Sequence, residues 1–128
     1  MDVSYERQFL IAWLITILVE TPLLVLCFQF QLAGSDNRPP LRRLIAASVF
    51  SSSATLPLLW FVWPAWIDSA SAWIVSGELF AVAAEGAFYW IFLACSFTRA
   101  MLISFACNLT SFLTGLMYFG YLACRIVI

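Results

Sequence analysis

The chain contains no histidine and no lysine, and its only charges are six arginines and seven acidic residues spread over 128 positions. Without histidine it lacks the commonest general base and the commonest imidazole metal ligand, and without lysine the usual Schiff-base nucleophile. An enzyme is therefore not expected. The four cysteines, Cys27, Cys95, Cys107 and Cys124, form no C-x-x-C pair and lie far apart, so they read as small buried apolar residues. No disulfide framework, metal site or cofactor is expected, and a net charge of −1 offers no basis for nucleic-acid binding.

Polar surface is scarce as well. Charged residues make up 10% of the chain, against about a quarter in soluble domains, while 64% are hydrophobic. With a mean hydropathy of +0.98, the chain reads as an all-α integral membrane protein. Its apolar runs are roughly Phe9 to Leu32, Leu44 to Trp63, Trp73 to Ala94 and Ala100 to Ala123. Each is close to the ~20 residues a helix needs to cross about 30 Å of hydrocarbon. Four transmembrane helices in a single domain, 1–128, account for nearly everything. The first run reads as a retained helix rather than a signal peptide, because Asp2 and Glu6 precede it and its apolar stretch is too long.

The arginines set the expected orientation. Arg38, Arg42 and Arg43 flank the first connection and Arg99 the third, whereas the second connection, Pro64 to Ala72, carries only Asp68. Short cytoplasmic loops are enriched in positive charge, so both termini are expected outside and the chain in a membrane such as a bacterial inner membrane. Arg7 and Arg125 vote the other way. Trp60, Trp63, Trp66 and Trp73 cluster about the second connection and read as headgroup-layer anchors. Arg38, Arg42 and Arg43 are candidates to meet anionic lipid headgroups.

Against this background, Glu20, Glu78 and Glu85 stand out. A charged carboxylate at membrane depth costs about 2.5–3.5 kcal/mol on insertion scales. It must be buried against protein, neutralised by a proton, or set in a wet cavity, and no arginine shares the depth of Glu20 and Glu85. Helical spacing supplies companions: Ser48, Ser52 and Thr55 share one face of the second span, and Ser104, Asn108 and Ser111 one face of the fourth. Glu78, Ala81 and Glu85 share a face of the third. Pro22 and Pro57 each remove a helical hydrogen bond, freeing a backbone oxygen on Leu18 and Ser53. The plainer reading of the hydroxyls is that they pack helices and hydrogen-bond across them, at about 0.6 kcal/mol each.

The halves of the chain also resemble each other. An offset of 56 aligns Arg43 with Arg99, Ser48 with Ser104, Ser52 with Asn108 and Thr55 with Ser111, while Glu20 and Glu85 each fall mid-way along the first helix of a hairpin. Two tandem two-helix hairpins related by a pseudo-two-fold axis along the membrane normal are expected. On this reading Glu20, Glu85 and Glu78 bind a proton or cation, with Ser52, Thr55, Asn108 and Ser111 orienting it. Four helices enclose little volume, so a homo-oligomer with the site at or near its interface is expected. The alternative is a non-catalytic subunit or assembly factor of a larger membrane complex, in which the glutamates hold helices together.

Overall fold

The computed structural model describes residues 3–30 and 38–127, most of which are helical, with no strand among them. Helix α1 spans Val3–Gln29. Helix α2 spans Leu41–Pro57 and is prolonged by a π-helical turn, Leu58–Val62, and a 3-10 turn, Trp63–Ala65. Helices α3 (Ala70–Leu93) and α4 (Phe97–Val127) complete the set, and all four are long and apolar enough to cross a membrane. The helices outrun the apolar stretches, α1 starting at Val3 and α4 at Phe97. Hydropathy marks the hydrocarbon layer, whereas backbone hydrogen bonding carries the helix on into the headgroup layer. The end of the first apolar run, 31–32, lies outside the described residues.

Local sequence explains the helix ends. Pro40 sits extended before α2 (φ −62°, ψ 147°), a position where its missing N–H costs nothing. Ser69 caps α3 by accepting from the Ala72 N–H at 3.4 Å. Ala94 ends α3 in the left-handed region (φ 54°, ψ 38°), which costs a residue with a Cβ about 1–2 kcal/mol. That conformation lets the chain turn into α4 within three residues.

The interruption of α2 is also legible. Pro57 cannot donate to Ser53, and just beyond it the helix widens so that the Trp63 N–H reaches Leu58 O five residues back. In that register the donor for Leu59 O would be the nitrogen of Pro64, which carries no hydrogen. Leu59 O instead accepts from Trp73 Nε1 at 2.7 Å, and Trp60 O, four residues before Pro64, accepts from the Tyr5 hydroxyl at 2.6 Å. Pro22, by contrast, sits within an uninterrupted α1.

The helices form a ring in which α1 and α3 each pack against both α2 and α4. One end is densely filled. Leu24 and Phe28 of α1, Leu44 and Ala47 of α2, Tyr89 and Leu93 of α3, and Ala100, Ile103 and Cys107 of α4 form a continuous apolar core. There Gly86 brings α3 against α4 so closely that a Cβ would lie 2.4 Å from Met101 Sδ and 3.3 Å from its Cα. Arg43 ties the hairpins together at this end, donating to Phe92 O at the end of α3 with its guanidinium 5.1 Å over the Phe92 ring. The outer surface is apolar, with Leu18, Phe50, Ile91 and Met117 among the exposed side chains, as lipid contact requires.

Candidate functional site

Above that core, Glu20 of α1 and Glu85 of α3 approach the ring axis and are almost completely buried, at 0% and 1% exposure. Glu20 Oε2 accepts from Ser52 Oγ of α2 at 2.6 Å, and Oε1 from Ser111 Oγ of α4 at 2.7 Å. Glu85 Oε1 accepts from Thr55 Oγ1 of α2 at 2.7 Å, and Oε2 from Asn108 Nδ2 of α4 at 3.1 Å. Each carboxyl of one helix pair is therefore gripped by both α2 and α4. Six of the seven residues singled out from the sequence meet in one network. They do so inside a single chain, whereas the sequence reading put the site at or near a subunit interface.

The hydroxyls have a second option. Ser52 Oγ lies 3.0 Å from Ser48 O, Thr55 Oγ1 3.1 Å from Ser51 O and Ser111 Oγ 3.1 Å from Asn108 O. A hydroxyl carries one proton and two lone pairs. When a carboxyl is ionised, the hydroxyl proton can point at it; when the carboxyl is protonated, the hydroxyl can accept its proton and turn its own toward the helix carbonyl. Both protonation states are satisfied by rotation about single C–O bonds, and no buried polar side-chain atom among the described residues lacks a partner. Electrical balance is another matter. No arginine among the described residues lines the space beside Glu20 and Glu85, so a charged carboxylate there would have no positive side chain facing it across the cavity.

Glu78 sits differently. Two turns from Glu85 on the same face of α3, it is half-buried and has no hydrogen bond to another described residue. It lines a cavity of about 280 Å³ that runs from Glu20, Glu85, Asn108 and Ser111 toward the end of the bundle holding the second connection. Apart from these polar groups and Thr16 and Thr55, the wall is apolar, with Ala12, Leu59, Phe112 and Phe119 among its members.

Trp60 and Trp73 also wall this cavity, so two of the tryptophans read as headgroup anchors have an inward role as well. Trp73 is held by Leu59 O, and Trp63 bonds Ser76 Oγ at 3.0 Å, whereas Trp66 is 84% exposed, as an anchor would be. One carbonyl of the π-helical turn, Leu59 O, thus holds Trp73 in the cavity wall, while Trp60 O holds Tyr5 of α1. Of the arginines read as headgroup partners, Arg38 and Arg42 are exposed, and Arg43 is exposed but committed in part to Phe92.

Sequence reasoning missed Tyr89 and Thr21, whereas Ser48 and Ser104 were already on the polar faces it marked. Tyr89 is fully buried one turn beyond Glu85, with Ser51 Oγ donating to its hydroxyl at 3.3 Å. Its spacing extends the Glu78–Ala81–Glu85 stripe by four residues, a signal that was present but masked by the frequency of aromatics in membrane spans. Thr21 donates to Ser48 Oγ at 2.9 Å, and Ser104 Oγ to Val82 O at 2.9 Å, joining α1 to α2 and α3 to α4 one layer below the carboxyls. Asn108 Nδ2 also reaches Ser104 O at 3.0 Å, which fixes its amide for Glu85. Cys27, Cys95 and Cys107 are buried free thiols, and the side chain of Cys124 lies outside the described residues. No protein-family model, curated protein or solved structure matches the chain.

Proposed function

We propose that this protein is a small proton- or cation-linked membrane transporter in which Glu20 and Glu85 form the ion-exchanging pair. The observation that carries the proposal is two almost fully buried carboxyls, each held by donors that can serve it charged or neutral, with no positive side chain beside them. Acidic residues at membrane depth carry protons in pumps and transporters, and such a pair opening on a cavity is arranged for exchange. The dense core below the pair favours a carrier, open to one side at a time, over a continuous channel. Catalysis forms no part of this reading.

The proposed duplication fits the same geometry. With Ser52 equivalent to Asn108 and Thr55 to Ser111, exchanging the two halves maps the partners of Glu20 onto those of Glu85, as a pseudo-two-fold axis along the membrane normal would require. The arginine bias puts the cavity mouth and both termini outside. The site needs no second copy for completeness, so a homo-oligomer would be built on the apolar outer faces. One observation favours the alternative role as a structural or assembly subunit: the hydrogen bonds to Glu20 and Glu85 all cross between helices, as helix-joining contacts do.

The Glu20→Gln, Glu85→Gln double variant divides the two. Glutamine keeps the size and hydrogen-bonding capacity of glutamate but cannot titrate. The transport reading predicts normal insertion with at least a tenfold loss of pH-driven flux in liposomes. Unchanged flux or function would contradict it, and the subunit reading would then stand, with Leu at both positions expected to release the protein from its complex.

A further inference from the structure

Resting on the exchange reading above, we infer that the cargo is a lipophilic organic cation that enters between α3 and α4 and is met by Glu78. A second, almost wholly apolar cavity of about 250 Å³ lies on the α3–α4 face and shares Ile74, Glu78, Asn108 and Phe112 with the central one. Its other lining residues include Val75, Leu79, Phe105 and Leu109, all exposed on the outside of the bundle. The route between α3 and α4 is therefore one that a molecule dissolved in the membrane can reach. Glu78 stands where that lateral space and the central cavity adjoin.

The division of labour among the carboxyls follows from their partners. The oxygens of Glu20 and Glu85 are occupied by O–H and N–H donors, so the exchange there is one of protons. Glu78, without a donor among the described residues, can face a positive charge directly. Around it the wall is apolar and aromatic, with Trp73, Phe112 and Trp60 in the central cavity. Aromatic faces attract organic cations, whereas hard metal ions need six to eight oxygens in a compact shell. No grouping of three or more acidic or cysteine side chains that could hold a metal occurs among the described residues. The volume suits a small ammonium with one ring or a few short alkyl arms, not a hydrated ion in an apolar chamber.

Binding of such a cation should expel a proton. The titratable groups facing Glu78 across the central cavity are Glu20 from α1 and Glu85 from α3. Helices α2 and α4 contribute only neutral polar groups there, Thr55, Asn108 and Ser111, with the Cys107 thiol behind Glu20. No fixed positive charge lines either cavity to compete for the carboxylates.

The test uses the full chain in lipid nanodiscs, with benzyltrimethylammonium as the probe and neopentylbenzene, its uncharged carbon isostere, as the control. Calorimetry and tryptophan fluorescence report binding, and a pH dye in weak buffer reports protons. Saturable binding of the ammonium with proton release, at least tenfold tighter than the isostere, is expected. Glu78→Gln should weaken it at least tenfold, and Gly115→Leu, which fills the cavity without touching a carboxyl, should do likewise. Equal binding of the isostere, or unchanged affinity in Glu78→Gln, would overturn the assignment. Proton release by sodium or potassium but not by the ammonium would overturn it too, while leaving the exchange reading intact. If no cation releases a proton, both fail.

Discussion

The two halves of the bundle along the membrane normal are built from the same four helices and the same kinds of residue, yet one is filled and the other is hollow. In the filled half, Gly86 lets α3 meet Met101 and Ser104 of α4, and Leu24, Tyr89, Leu93 and Cys107 occupy the axis. In the hollow half, Gly115 has nothing within 4 Å of where its Cβ would be, and about 280 Å³ stays open between Trp73 and the carboxyls. Both glycines sit on helices of similar hydropathy. What separates them is what faces each, a tight Met101 contact on the core side of the Glu20–Glu85 layer and open space on the cavity side.

The strongest way to break this contrast is to lengthen the two glycines. Gly86→Leu should overfill the closed half, costing at least about 1–3 kcal/mol and lowering the fraction of chain that survives detergent extraction as a monodisperse species. Gly115→Leu should fold normally, because its side chain enters vacant space. Equal damage from both would mean that the cavity is not there in the membrane.

Chemical access sharpens the comparison without straining the fold. In a variant whose native cysteines are replaced by serine or alanine, Gly115→Cys should react with an impermeant thiol reagent added to intact cells, whereas Ala47→Cys in the core should stay unlabelled until the protein is unfolded. Labelling of Gly115→Cys only in inverted vesicles would keep the cavity but reverse the orientation drawn from the arginines.

Smaller effects should come from the hydroxyls. Ser52→Ala and Thr55→Ala each delete one donor to a carboxyl and are expected to cost about 0.6 kcal/mol, near the average for a hydrogen bond between membrane helices. Their double variant should shift the pH dependence of flux further than it lowers stability in a denaturant titration. A loss of stability alone would mean that the hydroxyls merely join helices.

How much of this was legible in the sequence depended on depth in the bundle. The four spans and the polar stripes followed from composition and helical period, since a bilayer forces polar groups onto the inward face. Ser52, Thr55, Asn108 and Ser111 could therefore be gathered with Glu20 and Glu85 before any coordinates. The partners within that set were hidden: that Ser111 of α4 serves Glu20, and Thr55 of α2 serves Glu85, depends on ring order and helix rotation, which periodicity does not encode. The inward placement of Trp73 was hidden for a related reason. It follows from Pro57 and Pro64 acting together to orphan carbonyls, an effect of two residues seven apart on side chains elsewhere.

Ion exchange at this site requires Glu20 and Glu85 to change protonation state while the helices stay in place. Infrared difference spectroscopy of the protein in nanodiscs, scanned across pH in H2O and D2O, reads that change directly from the carboxyl C=O stretch. The predicted result is a pair of carboxylic-acid bands that exchange for carboxylate bands within the range where the protein stays folded and that vanish in the Glu20→Gln, Glu85→Gln variant. Bands that never move over that range would contradict the account, because carboxyls locked in one protonation state can hold helices together but cannot exchange a proton for anything.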